Sequence, residues 1–424
     1  MNRHQRRSTQ RQAAKRPHEA ILNAALAQHR AGDLDAATAG YRQVLAADPR
    51  NLDAFMNLGH ACTTRGKQAE ALRCYRGALV VGPGHAAVHH HLAIALMEFG
   101  RWDEAVAHQL QAIALQPQNA EAYRDLGSAL LESGRQVEAA QALERAVLLN
   151  PLFATAYFEL ARAVFDDQRP TPAVEALTRA VTSDPRYVWA RYLFGVALDL
   201  QGQRAAAEAQ FGSLHPDRKV FAGAVDSWRY VRDHRTPATR IFTTTRATLL
   251  HAIAQAPGEG LVLELGVRYG ISTRWIAGAV SGPVHGFDSF EGLPEGWHIQ
   301  AKGIYSTHGE APVLPPNVEL HVGLFDQTLP PFLAETKGPV RFMNVDCDLY
   351  SSTRTALDQL GDRVVPGTVI VFDEYLINDA WREDEHKAFQ EAVAQRGWRY
   401  EYLAFGIPSG QAVVRIQDAR SQRG

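Results

Sequence analysis

Five prolines stand 34 residues apart: Pro49, Pro83, Pro117, Pro151 and Pro185. A period of that length means one supersecondary unit is used repeatedly, and whatever fold this region takes must repeat with it. Other columns keep the same step. Ala37, Ala71, Ala105, Ala139 and Ala173 precede their prolines by 12 residues, and Tyr41, Tyr75, Gln109, Leu143 and Leu177 precede them by eight. Farther upstream run Leu58-Gly59, Leu92-Ala93, Leu126-Gly127 and Leu160-Ala161, with Phe55, His89, Tyr123 and Tyr157 three residues earlier. Turn glycines recur at Gly66, Gly100 and Gly134.

The columns read as pairs of antiparallel helices. Small residues such as Ala71 let two helix axes approach, and residues at the Tyr75 position fill the gap to the neighbouring helix. Proline ends the second helix, because it supplies no amide hydrogen to the ladder. This pattern resembles the tetratricopeptide repeat over residues 18–215, with a degenerate sixth unit at Phe194-Gly195, Gly202, Ala207 and Phe211. The resemblance implies a stacked solenoid with a concave surface for a protein or peptide partner; a spacer or dimerisation arm is the competing role. His89-His90-His91 look like a metal cluster, yet successive helical side chains splay by ~100° and do not converge on one ion. They read as surface or packing residues, and Cys62 and Cys74 as core thiols.

The 424 residues are too many for one ordinary domain and suit two or three. A formal net charge of −2 argues against a whole-protein grip on nucleic acid. Residues 1–17 hold Arg3, Arg6, Arg7, Arg11, Lys15 and Arg16 without an acid, which reads as a solvated, disordered basic tail. That tail lacks the apolar core of a secretory signal, and no run of ~18 apolar residues follows, so neither secretion nor a membrane span is expected. Three cysteines without a C-x-x-C fit a reducing cytoplasm. The expected organisation is a basic tail (1–17), a repeat domain (18–215) and an α/β domain (216–424).

Beyond about Asp217 short apolar strands alternate with helical patterns. Strands are expected at 260–265, at 284–287 ending on Asp288, at 318–322, at 340–345 ending before Asp346, and at 369–372 ending before Asp373-Glu374. Such alternation indicates a doubly wound parallel sheet, which binds ligands at the carboxyl ends of its strands. The first strand leads into Gly266-Val-Arg-Tyr-Gly270. A dinucleotide fingerprint would place a glycine where Arg268 stands, which disfavours a nicotinamide enzyme. Glu264 would repel a pyrophosphate and suit an ammonium. E-x-G-x-x-x-G with an acid 24 residues beyond Glu264 better fits S-adenosylmethionine, with Asp288 accepting from the ribose hydroxyls.

Four further strings follow in order: Asp288-Ser-Phe-Glu-Gly-Leu-Pro294, Gly323-Leu-Phe-Asp-Gln-Thr-Leu-Pro330, Asp346-Cys-Asp-Leu-Tyr-Ser-Ser-Thr353 and Pro366-Gly-Thr-Val-Ile-Val-Phe-Asp-Glu-Tyr375. With the glycine turn they closely resemble the macrolide-sugar O-methyltransferases of the macrocin and mycinamicin type, over residues 240–416. The resemblance implies a class I, Rossmann-like methyltransferase fold, S-adenosylmethionine as donor, and a magnesium ion holding sugar hydroxyls. Its metal ligands carry over to Asp348, Asp373 and Glu374. The family commonly has two aspartates where this chain has Asp373-Glu374, so glutamate's extra methylene changes the reach at one ligand. The expected donor site is Glu264, Gly266, Gly270, Ser272, Thr273, Asp288, Ser289 and Phe325.

The chemistry is coherent without the family. Carboxylate oxygens suit magnesium, and a bound cation lowers the pKa of an alcohol that would otherwise be a poor nucleophile. Asp346 or Asp348 would take the proton as general base. A structural role for the acids, as caps of the following helices, is the simpler alternative. Trp297, His298, His308, Trp381 and His386 are expected around the mouth as rim residues, and Cys347 has no assigned chemistry. The expected protein is a repeat arm fused to an O-methyltransferase acting on a sugar-containing small molecule or glycan. A repeat scaffold carrying a silent methyltransferase fold is the rival, and self-association is open.

Overall fold

The computed structural model describes residues 18–214 and 219–419. The basic tail expected at 1–17 lies outside them. The repeats form helix pairs as the columns require, for example Leu52–Thr64 with Gln68–Val81 and Val188–Leu200 with Arg204–Gly212. Ala37, Ala71, Ala105, Ala139 and Ala173 are all fully buried, as are Tyr41, Gln109, Leu143 and Leu177. Two columns interlock. A Cβ on Gly59 would sit 2.6 Å from the Tyr75 ring, and one on Gly127 or Gly195 would meet Leu143 or Phe211 still more closely. The turn glycines take the left-handed conformation, with φ of 71°, 64° and 85° at Gly66, Gly100 and Gly134, where a Cβ is penalised.

The three consecutive histidines point to three different partners. His89 Nδ1 lies 3.0 Å from His108 Nδ1, His90 Nδ1 lies 3.2 Å from Gln109 Oε1, and His91 Nε2 lies 3.2 Å from His60 Nε2.

The chain divides into two compact units. Among the described residues one comprises 18–133 and 141–150, the other 134–140, 151–214 and 219–419. In the second unit the last helix pairs pack with an α/β domain. Asp167, nearly buried, accepts on Oδ1 from Arg240 Nε and Nη2 at 3.0 and 2.8 Å and on Oδ2 from Ile241 N at 3.0 Å. Arg162 donates to Thr243 O, and Thr243 Oγ1 returns a bond to Arg162 O. Helix Lys219–His234 links the same parts: Trp228 Nε1 donates to Asp199, while Asp226 accepts from Trp381 Nε1.

The sheet has eight strands: β1 (Arg240–Phe242), β2 (Leu261–Leu265), β3 (Val284–Asp288), β4 (Val318–Val322), β5 (Val340–Val345), β6 (Val364–Phe372), β7 (Trp398–Gly406) and β8 (Ala412–Ala419). Their order is β1-β7-β8-β6-β5-β2-β3-β4. All pairings are parallel except those of β8, which runs antiparallel to β6 and β7. The sheet is therefore mixed rather than wholly parallel, and β1, β7 and β8 add to the five expected strands. β6 also starts earlier, because Pro366-Gly367 form a bulge: the register jumps from Val364 opposite Val340 to Val369 opposite Phe342. Val262, Phe342, Val369, Val371 and Val413 face Leu249, Ala252 and Ile276 in one apolar core. The strand order reverses beside β2, so loops leaving β2, β3, β5 and β6 diverge around a crevice.

Candidate active site

That crevice is a cavity of about 490 Å³, within the range of small-molecule sites. Its lining includes Gly266, Arg268, Asp288, Ser289, Phe325, Asp346, Asp348, Asp373 and Glu374.

The turn after β2 forms one wall. Gly266 has φ +97°, and a Cβ there would stand 1.8 Å from the carbonyl oxygen of Asp346, so only glycine fits. Gly270 (φ +70°) caps helix Ile271–Ala279. Asp288 holds the turn together: its Oδ2 accepts from Val267 N and Arg268 N at 2.8 and 2.7 Å, and its Oδ1 from Phe290 N at 2.7 Å. The expected ribose acceptor is thus also the scaffold of the glycine turn.

Four residues of the expected donor site lie off the lining. Glu264 and Thr273 are fully buried beneath it, while Gly270 and Ser272 belong to the helix start. Glu264 Oε1 accepts from Asn344 Nδ2 at 3.3 Å, whereas Oε2 has no partner at hydrogen-bond geometry. Burial raises this carboxyl to about 7, against the opposing pull of Ser272, Thr273 and Asn344.

Beside the turn, the ends of β5 and β6 make the lining acidic. Burial, followed by the neighbouring carboxylates Asp373 and Asp348, raises Asp346 well above its ordinary range. Asp348 is raised to about 7 by burial and Asp373, with Arg268 pulling the other way. Asp373 rises to about 6 through burial, moderated by Gln411, whose Nε2 donates to it at 2.7 Å. Glu374 rises to about 9 through burial and then Asp373 and Asp348. Asp348 also adopts the left-handed conformation, φ +58°, a strained backbone state of the sort that accompanies functional sites. These acids place negative charge where one basic side chain among the described lining residues, Arg268, offsets it.

Asp348, Asp373 and Glu374 do not draw their oxygens together as tightly as a closed ligand set. Among the described residues, His285, Glu319 and His321 are the one group of three whose ligand atoms all lie within 4.8 Å of one another. Asp348, Asp373 and Glu374 nevertheless line one cavity together. Their donor chemistry, hard oxygens crowded by burial, still fits a hard divalent cation.

Sequence reasoning missed Asp384, Glu385, Arg268 and Tyr305. Glu385 is fully buried, accepts from Glu374 N at 3.0 Å, and is raised well above its ordinary range by burial and by Asp373. Asp384 accepts from His298 Nε2 at 2.9 Å and from Trp297 Nε1 at 3.3 Å. The pair resembles a helix start in sequence, and only the fold brings it under the acids. Arg268 lies 4.8 Å from the ring centroids of both Tyr269 and Tyr305. The expected rim residues are not on the lining. Trp381 is buried against Asp226, and His386 packs among Tyr230, Tyr375 and Trp381 with its pKa pushed down to about 4 by burial. Both serve packing. Cys347 does lie on the lining, but its thiol pairs with Thr353 Oγ1 at 3.3 Å and burial keeps it protonated.

A family described as a methyltransferase domain matches residues 263–375, which span Glu264 through Glu374. The chain carries a methyltransferase domain. A tetratricopeptide repeat family matches residues 22–87, 90–151 and 138–188. No curated protein matches the chain. Solved structures similar to it include the MamA protein (24% identity, 40% of this chain and 92% of that one, TM-score 0.37). PilF of Pseudomonas aeruginosa matches at 20% identity over 52% of this chain and 99% of its own, TM-score 0.45. YrrB, titled a TPR protein with an unusual peptide-binding site, matches at 21% identity over 40% and 88%, TM-score 0.37. A tetratricopeptide solenoid thus precedes an α/β methyltransferase domain. Among the described residues no helix is long and apolar enough to cross a membrane.

Proposed function

We propose that the chain is an S-adenosylmethionine-dependent O-methyltransferase that uses magnesium and methylates a sugar hydroxyl on a glycoside or glycan. The observation that carries this reading is the cluster of buried acids Asp346, Asp348, Asp373 and Glu374 that lines one cavity together with the glycine turn. A cluster of that charge is stable at neutral pH only with protons or a cation on it. Thioether or amine chemistry gives no reason for such a cluster; activating a weakly acidic hydroxyl does.

In this reading Gly266 gives the donor close approach to the backbone, and Asp288, Ser289 and Phe325 contact its ribose and base. Glu264, fully buried and off the lining, would favour the donor's ammonium through its charge from beneath the turn and not by contact. Asp348, Asp373 and Glu374 would hold magnesium, which supplies charge that acidifies the acceptor hydroxyl and orients it. Asp346 or Asp348, both on the cavity lining, receives the proton as general base. Alignment of the acceptor oxygen with the methyl group supplies much of the remaining rate.

The repeats would recruit a protein or peptide that bears or presents the acceptor, and the three buried, free cysteines accord with a cytoplasmic setting. The test is methyl transfer from labelled S-adenosylmethionine into a panel of sugars and glycosides, with magnesium or with chelator. Transfer that requires magnesium and vanishes in Asp348→Ala is expected. Full activity of Asp348→Ala refutes the metal assignment, and failure to bind S-adenosylhomocysteine leaves the scaffold reading in its place.

A further inference from the structure

At the outer edge of the sheet, off the cavity lining, three metal-ligating side chains meet. His285 on β3 is in register with Glu319 on edge strand β4, and His321, two residues on, shares the face of Glu319. His285 Nδ1 lies 3.4 Å from Glu319 Oε2 and 3.4 Å from His321 Nε2.

We propose that His285, Glu319 and His321 form a binding site for a divalent transition metal of the zinc type, with two imidazole nitrogens and one carboxylate oxygen as ligands. The distances carry it. Ligand atoms placed tetrahedrally about 2.05 Å from zinc are about 3.3 Å from one another, and both measured separations fall at that edge length. Hydrogen bonding alone serves the cluster poorly. His285 Nδ1 carries either one proton or one lone pair, so whichever tautomers the rings adopt it fully serves only one of its two neighbours, whereas a cation satisfies all three atoms.

The surroundings fit the same reading. Burial lowers the pKa of both histidines, so both imidazoles present lone pairs at neutral pH. One side of the cluster is dry and aromatic: His321 stacks on Phe287 with centroids 4.5 Å apart, and Phe332 lies 4.8 Å from His285. The other side is open, with the Glu319 side chain 65% exposed, which gives an ion an entry path and leaves a fourth position for water. Mixed nitrogen and oxygen donors favour zinc over magnesium. A metal here would clamp β4 to β3 just before Asp288 and Gly323, which line the cavity.

The experiment is calorimetric titration of chelator-stripped full-length chain with zinc chloride in excess magnesium chloride, which keeps hard-oxygen sites filled. Cobalt(II) absorption then reports tetrahedral nitrogen ligation. One equivalent of zinc is expected to be lost in His321→Ala and weakened more than about tenfold in Glu319→Gln, an exposed and shape-preserving change. The His60→Ala, His91→Ala pair controls for a close histidine pair of the repeats and should leave that equivalent intact. Absence of zinc binding, binding unchanged in both sheet variants, or loss in the repeat control each overturns the proposal.

Discussion

Replacing Glu374 by glutamine should stabilise the metal-free protein at pH 8 and leave it nearly unchanged at pH 5. Burial and two neighbouring aspartates lift the folded-state carboxyl from 4.5 to about 9. Between those values the folded chain holds a proton that the unfolded chain has released, so stability falls as pH rises through this window. Glutamine carries no such proton. At pH 8 the unfolded carboxyl is about 3.5 units past its pKa, and at about 1.4 kcal/mol per unit the penalty is at most about 5 kcal/mol. Water entry and side-chain relaxation reduce such a figure, leaving about 2 kcal/mol, or roughly 4–8 °C in melting midpoint for a unit of this size. The assay is thermal melting in chelator at both pH values. Six of the seven tryptophans lie beyond residue 150, so their fluorescence reports mainly on the unit that contains the site. Magnesium should reverse the ranking at pH 8, because the wild-type carboxylate then gains a partner that glutamine serves less well. A wild-type–variant difference that is the same at pH 5 and pH 8 in chelator would refute the electrostatic argument.

Other outcomes follow from the same geometry. Gly266→Ala should abolish S-adenosylhomocysteine binding by calorimetry, since its Cβ would overlap Asp346 O at 1.8 Å. Asp288→Ala removes the acceptor for three backbone amides, bonds to a charged group worth about 1.5–3 kcal/mol each, and should weaken the same ligand at least about tenfold. Asp348→Asn should lower kcat/KM for methyl transfer by at least about a hundredfold while S-adenosylhomocysteine affinity, measured in parallel, holds. A chain starting at residue 134 should melt with an intact α/β transition, whereas one starting at residue 216 should lose several degrees because Arg240 and Thr243 forfeit Asp167 and Arg162.

The repeat was readable because its constraint is periodic: one proline or alanine column is confirmed by four others, and all five alanines are buried together. The glycine turn was readable because backbone that must approach Asp346 closely tolerates one residue type. What stayed hidden depends on contacts distant in sequence. Glu264 looked like a ligand contact, yet its position inside β2 puts it under the floor. Asp384-Glu385 join the acids only because the helix that they open folds back beneath β6. β7 and β8 were passed over although β7 follows helix Glu385–Arg396, because β8 returns antiparallel between β6 and β7 and breaks the alternation of strand and helix. His285 and His321 stand 36 residues apart and became neighbours only through the β3–β4 register.

The grip of Asp167 on Arg240 bears on how this protein can be taken apart. A fusion of repeats and enzyme suggests two exchangeable cassettes joined by a tether. Here the repeats from Pro151 onward share a compact unit with the catalytic sheet, and a nearly buried carboxylate spends both its oxygens on strand β1. A chimaera that grafts this enzyme onto a different recruiting arm must therefore take its splice point upstream, among the earlier repeats. Cutting where the periodicity ends would leave an arginine without its counter-charge at the seam.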